Sequence, residues 1–231
     1  MSDVDLLDRE VDLIWGPGSD EPWPLLVAIV ANDGHRIRSG PELAAGPAER
    51  VSAVWAAHPA PPVPDTERID RPWPPVIGEI DHIMRDTGAS SARESLSFVF
   101  EDAPTGTEHP WLVRSDAASV DPVRHVQPTD WEAEEWNLLL DGALGPWAMV
   151  FDGAEVLAIC HTARSGAGAA EAGVWTRADH RRRGYAVAVT ESWAALAARE
   201  YDTLYDSTSG DNLGSQQVAA RLQRWDRKPL R

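Results

Sequence analysis

Between residues 169 and 200 the sequence carries its most restrictive local pattern. Ala169–Thr176 reads as a strand. Arg177–His180 follows, then Arg181-Arg182-Arg183-Gly184-Tyr185-Ala186. A helix is predicted over Gly184–Glu200, with Ala186, Val189, Trp193 and Leu196 on one face. The first N–H groups of a helix have no intrahelical partner. Residues 180–184 hold no Ser, Thr, Asp or Asn, so no side chain is placed to cap them. Bare N–H groups at the positive end of the helix dipole favour an anion. Gly184 lets such a group approach the backbone closely, and three arginines add charge. Taken alone, the same residues also read as a solvated arginine patch, so the flanking sequence has to decide.

After residue 118 that flanking sequence is regular. Val123–Val126 reads as a short strand. Thr129 or Asp130 can N-cap a helix running through Leu140, with Glu132, Glu134 and Glu135 near its N-terminus. Trp147–Phe151, Asp152-Gly153 and Val156–Ala163 form a hairpin signal, because Asp-Gly between apolar runs favours a tight turn. Leu204–Ser207 is a strand. Asn212–Leu222 is a helix with Val218, Leu222 and Trp225 on one side. The predicted order is β-α-β-β-β-α-β-α.

Residues 1–118 are less patterned. Leu25–Val30 and His35–Arg38 are short strands around an Asn32-Asp33-Gly34 turn, after an acidic start broken at Gly16-Pro17-Gly18. Residues 48–57 and the run Ile77, Ile80, Ile83, Met84 have helical spacing, the latter ending by Gly88. His58–Pro64 is a proline-rich connector. Ser97–Phe100 and Trp111–Arg114 read as strands about a loop with Pro104, Gly106 and Pro110. We read 1–118 as a small α/β accessory domain and 119–231 as the domain that carries chemistry.

Composition sets limits on partners. The chain has 231 residues and a formal net charge of −16, which argues against sequence-independent nucleic-acid binding and against anionic membranes. A cationic or amine partner suits that field better. The longest early apolar run, Leu25–Ala31, is too short to span a bilayer. Met1–Leu7 lacks the basic segment of a signal peptide, so a cytoplasmic location is the expectation. The basic residues after residue 128 cluster at Arg177–Arg183 and at the C-terminus.

Several chemistry-bearing residues have plainer readings. Cys160 and His161 are neighbours on a strand and point to opposite faces, so they cannot pair directly. A buried, inert Cys160 is the expectation. The seven histidines show no metal-ligand spacing, and no metal is expected. The eleven tryptophans are spread from Trp15 to Trp225 and read as core, although Trp131 and Trp136 could line an acceptor entrance. No Gly-x-Ser-x-Gly elbow occurs.

Arg181-x-x-Gly184-x-Ala186 resembles the Arg/Gln-x-x-Gly-x-Gly/Ala signature of the GNAT superfamily, the Gcn5-related N-acetyltransferases. Glu171-Ala172-Gly173-Val174-Trp175-Thr176 is similar to that family's central strand. Ser207 and Asn212-x-x-Ser215 resemble its next strand and asparagine-led helix. The resemblance covers roughly residues 120–225. It implies an α/β (α+β) fold with a mixed, mostly antiparallel sheet flanked by helices. It implies acetyl-CoA as co-substrate and an amine-bearing small molecule or protein as acceptor, with a homodimer compatible with the family.

By that resemblance the backbone amides of Arg181, Arg182, Arg183, Gly184, Tyr185 and Ala186 would hold the CoA pyrophosphate. Val174, Trp175 and Thr176 would pair with the pantetheine arm where the sheet splays, and Asn212 and Ser215 would contact the pantetheine or phosphate. Arg182 or Arg183 would reach the 3′-phosphate. Glu171 stands where members place a base, or is a structural hydrogen-bonding group; the two readings stand side by side. Ala219 occupies the position of the family's helical tyrosine, Tyr205 is a weak substitute, and Gln223-Arg224 stands for Gly-Phe. The sequence ends at Arg231, short of the family's final two strands. An enzyme and a non-catalytic acyl-CoA-binding or protein-interaction module are therefore both open.

Overall fold

Strands form here where apolar and small residues alternate across a sheet, and helices where apolar residues recur every three or four positions. The computed structural model describes residues 1–17, 19, 21–31, 34–58, 75–88, 95–100, 110–117 and 119–222. The expectations for Asn32-Asp33, the proline run after His58, the Pro104–Gly106 loop, Trp225 and Gln223-Arg224 lie outside these residues.

Contacts divide the chain into two units, Met1–Ser97 and a second running from Phe98 to Thr208 and on from Asn212. The first opens with helix α1 (Asp3–Trp15), capped by the Ser2 hydroxyl, which accepts from the Asp5 N–H. The acidic start is not expected to be helical from the sequence. Its acidic residues Asp5, Asp8 and Asp12 meet Arg36 and Arg38 of strand β2 (His35–Ser39). β2 pairs antiparallel with β1 (Leu26–Val30), as the two short predicted strands require. Helices α2 (Ala45–Ala57) and α3 (Pro75–Arg85) supply the core of this unit through Val51, Trp55, Val76, Ile77, Ile80, Ile83 and Met84.

The second unit is built on a six-stranded sheet. Its strands are β3 (Ser95–Phe100), β4 (Leu112–Arg114), β5 (Trp147–Phe151), β6 (Val156–Gly166), β7 (Ala169–Thr176) and β8 (Thr203–Ser209), in the order β3-β8-β7-β6-β5-β4. The sheet thus draws both outer strands from the segment before residue 119. β4 to β7 pair antiparallel and β7 pairs β8 in parallel. The fold is mixed α/β with a mostly antiparallel sheet flanked by helices, as expected.

Two expectations, one of a strand and one of a helix start, need correction. Val123–Val126 is not a strand: Asp121–Arg124 forms the single turn α4, because Pro122 at its start presets a helical φ. The next helix, α5 (Ala133–Leu140), begins later than Thr129 or Asp130 would set it. Glu132 is its N-cap, with no side-chain cap, and Asp130 is engaged elsewhere. Helix α6 (Tyr185–Ala197) starts at Gly184, and α7 (Leu213–Leu222) starts after Asn212. Among the described residues no helix is long and apolar enough to cross a membrane.

The sheet has two apolar faces. On one, Ala158, Cys160, Ala170, Ala172 and Leu204 pack with Val189, Trp193 and Ala194 of α6 and Leu222 of α7. On the other, Trp147, Met149 and Ile159 pack with Trp131 and with Trp136, Leu139 and Leu140 of α5. Trp193 is fully buried, and its Nε1 donates to Thr162 Oγ1, which donates to the Pro146 carbonyl, both at 3.1 Å. Those bonds satisfy polar groups that burial would otherwise penalise.

Candidate cofactor-binding and acyl-transfer site

β7 and β8 are paired over only three rungs, Ala169 with Thr203, Ala170 with Leu204 and Glu171 with Tyr205. β7 continues to Thr176 and β8 to Ser209. Beyond Glu171, β7 is held among the described residues on one side only, by β6, through Cys160 with Val174, Ile159 with Trp175 and Ala158 with Thr176. The edge facing β8 therefore carries backbone donors and acceptors that β8 does not take up. An extended polar chain can complete such an edge as an added strand does. Val174, Trp175 and Thr176, singled out in the sequence, all lie on it. Trp175 packs toward Trp131 and donates from Nε1 to Asp130 Oδ2 at 3.1 Å, which is where Asp130 is engaged instead of capping α5.

β7 runs out into a 3-10 turn at Ala178–His180. Arg177 is occupied there by Glu155 and by Asp179, the latter at 2.9 Å. Arg181, Arg182 and Arg183 follow as exposed side chains. Arg182 has φ 62° and Gly184 φ 87°. Two left-handed residues within three positions are the backbone that turns successive N–H groups toward one point. The left-handed conformation costs a non-glycine residue about 1–2 kcal/mol, so Arg182 is held against its own preference.

At Gly184 an added Cβ would meet nothing within 4 Å. The glycine is required by its φ, and the space before the helix is open. Gly184 is the N-cap of α6 and supplies no side-chain bond. The first helical bond is Ala188 N–H to the Gly184 carbonyl at 3.2 Å. The N–H groups of Tyr185, Ala186 and Val187 lie ahead of it, at the positive end of the helix. The residues present thus fit an anionic, pyrophosphate-like group beside an open strand edge.

Glu171 sits at the last rung before the strands part and is 4% exposed. Arg164 Nη1 lies 2.8 Å from its Oε2, and the Ser207 hydroxyl donates to its Oε1. Arg164 can reach it because β6 bulges between Thr162 and Arg164, which shifts the register so that Arg164 faces Glu171. Both carboxylate oxygens are bonded, yet each retains a lone pair for a further proton.

His161 lies one strand away, opposite Gly173. Its ring meets Trp131 edge-on at 5.1 Å, and an added Cβ on Gly173 would come within 2.6 Å of its Cε1. Burial lowers its proton affinity, opposed by a backbone hydrogen bond at Gly173. Cys160 is buried on the opposite face, as expected, and burial followed by the charge of Asp206 pushes its thiol up while a Thr190 bond lowers it.

Asp206 was not singled out in the sequence. It is 4% exposed, and burial, with Glu171 adding to it, raises its carboxyl to about 7. Its sequence signal is weak, one acid within the predicted strand Leu204–Ser207. Asn212 and Ser215 meet each other: Asn212 Oδ1 accepts from the Ser215 N–H at 3.1 Å and caps α7. Ala219 and Tyr205 are both buried, the latter completely. Among the described residues no His, Cys, Asp or Glu group is arranged to hold a metal ion.

The mixed, mostly antiparallel sheet flanked by helices, parted between β7 and β8, agrees with the fold that the resemblance implies. No family model and no curated protein sequence matches the chain. Several solved structures are similar to it. A GNAT-family acetyltransferase from Colwellia psychrerythraea is 14% identical, with a TM-score of 0.45 over 87% of this chain and 77% of that one. A GNAT-family protein from Novosphingobium aromaticivorans is 19% identical, with a TM-score of 0.42 over 55% and 57%. A GCN5-related N-acetyltransferase from Sphaerobacter thermophilus is 17% identical, with a TM-score of 0.41 over 64% and 53%. The chain spans little more than half the length of the last two. Likenesses of this size say nothing about activity.

Proposed function

We propose that the chain is an acetyl-CoA-dependent N-acetyltransferase acting on a primary amine of a small molecule or protein, in the cytoplasm. The observation that supports it is a juxtaposition. An unpaired strand edge at Val174–Thr176 runs directly into a left-handed turn and an uncapped helix start at Arg181–Ala186. The edge suits the amide-bearing pantetheine arm, and the helix start suits the pyrophosphate. Asn212 and Ser215 extend the polar surface at the start of α7, and Arg182 or Arg183 serves the 3′-phosphate.

At the apex of the splay Glu171 takes the proton that the amine loses on attacking the thioester. Arg164 and Ser207 fix the orientation of its carboxylate. The net charge of −16 favours approach of a cationic amine.

Calorimetry with acetyl-CoA, followed by an amine panel with thiol detection, tests the reading. Binding together with thiol release supports it, and no binding at millimolar acetyl-CoA sinks it. The buried Ala219 at the tyrosine position favours a second reading, a non-catalytic acyl-CoA-binding module. Tight CoA binding without turnover on any amine would select that one. Rate loss in Glu171→Gln with intact CoA binding would select the enzyme.

A further inference from the structure

Two buried carboxyl groups flank the point where β7 and β8 part, one on each face of the sheet. Glu171 shares its rung with Tyr205 and its face with Ser207. Asp206 is the next residue of β8. Strand alternation turns it to the other face, that of Leu204, Cys160 and α6. Its Oδ2 is buried and has no hydrogen-bond partner among the described residues. A buried, unpartnered carboxylate oxygen is costly, whereas the protonated carboxyl is a donor that lacks only an acceptor.

The surroundings separate the two acids. Glu171 has a guanidinium and a hydroxyl directed at it. Asp206 has no ion-pair partner among the described residues. The titratable groups around it are Glu171 of β7 and the Cys160 thiol of β6, both of which act on it or are acted on by it. α6 brings the neutral Thr190 beside the buried Glu191, and the buried residues of α7 are the neutral Gln216, Ala219 and Leu222. Among the described residues no cation stabilises a charge at Asp206, and the like charge of Glu171 opposes it.

We propose that Asp206 is the acid of the acyl transfer, giving its Oδ2 proton to the sulfur as the carbon–sulfur bond breaks, while Glu171 takes the proton of the attacking amine. The proposal rests on the acetyltransferase reading above. The amine nitrogen bonds the acetyl carbonyl carbon, the electron pair of the carbon–sulfur bond stays on sulfur, and the proton from Asp206 completes the thiol. Glu171 ends protonated and Asp206 ionised. A proton passing from one to the other through solvent restores the pair. A carboxyl that burial keeps protonated is a usual donor in such a division of labour. The carboxyl of Asp206 titrates at about 7, so it holds its proton at the pH where an acid has to give it. It occupies the role left by Ala219.

Asp206→Asn keeps the shape and a donor but removes the transferable proton. Expected is a fall in kcat of about 100-fold with the best amine of the panel, with KM for acetyl-CoA changed by less than about two-fold. Wild-type kcat should fall above pH of about 7, and D206N should lack that fall. A readout independent of turnover is infrared difference spectroscopy of the free protein. The wild type should show a protonated-carboxyl band that disappears with a midpoint near 7 and is absent from D206N. Wild-type turnover with unchanged kcat in D206N, or with no such band in the wild type, overturns the inference and leaves the acetyltransferase reading standing. Absence of wild-type thiol release overturns both. Should D206N fail to fold, the wild-type band and the wild-type fall in kcat decide alone.

Discussion

Asp206 makes the folded state depend on pH. Its carboxyl titrates at about 7 in the folded chain against a reference value of 3.8. Between those values the unfolded chain is ionised while the folded chain keeps the proton. The folded state binds more protons there, so raising the pH favours unfolding. The stabilisation is complete below 3.8 and is lost as pH rises through about 7, a change on the order of 4 kcal/mol. Urea unfolding at pH 4.5 and pH 8 should show that slope in the wild type and a much shallower one in D206N. His161 acts with the opposite sign. Burial lowers its proton affinity, so stability falls as pH drops below its unfolded value of about 6.5. Arg164 is a further test at this scale. Arg164→Met removes the cation from a carboxylate that is 5% exposed, and about 2–4 kcal/mol should be lost, less than for a fully buried pair because Arg164 is partly in water. A second change, Glu171→Gln, should recover part of it.

Among the elements, β7 carries the most consequence. Gly173 stands in it because a side chain would strike His161. Gly173→Ala should cost about 1–3 kcal/mol by overpacking, measurable as a lower urea midpoint at unchanged m-value. Gly184→Val forces a β-branched residue to φ 87°. It should cost about 1–2 kcal/mol and weaken acetyl-CoA binding about ten-fold in calorimetry, because the turn that aims the N–H groups would relax. Much of this was legible in the sequence. The Asp152-Gly153 hairpin, the strand Ala169–Thr176 and the uncapped start of α6 follow from local chemistry, and the structure has each of them. What was not legible is non-local. Val123 is a single apolar knob in one helical turn, and four residues are too few to show a period. Glu171 could be singled out by position, but its partner Arg164 required a bulge that sequence does not announce. Asp206 is an ordinary acid until the sheet buries it. Trp131 reads as generic core until His161 packs against it.

For the molecule as a whole, charge and ligand linkage are the testable quantities. Under the proposed function, a protein of net charge −16 should lose affinity for a cationic amine as salt rises, because screening shortens the reach of that field. KM for the amine should therefore increase between low and physiological ionic strength, and so should KM for acetyl-CoA if the basic turn holds it as proposed. Neutral competitors should be indifferent. Acetyl-CoA that binds only the folded chain stabilises it by about 2.7 kcal/mol at a hundred times its Kd, so the thermal midpoint should rise with ligand concentration. The division of contacts at Ser97 and Phe98 was not visible in composition. β3 and β4 lie on opposite edges of the sheet, and sequence alone gives strands without their neighbours.

The bulge in β6 has a further consequence. Along a regular strand, facing is a matter of parity: odd residues look one way and even residues the other. Ala163 is the uncounted residue that breaks this rule between Thr162 and Arg164. Its effect is to reverse parity for the rest of the strand, so that a positive charge arrives opposite Glu171 and not on the far face. The bulge, rather than residue identity, thus sets the charge at the apex. A regular ladder through the same residues would change no charged residue and yet place Ala163, not Arg164, opposite Glu171.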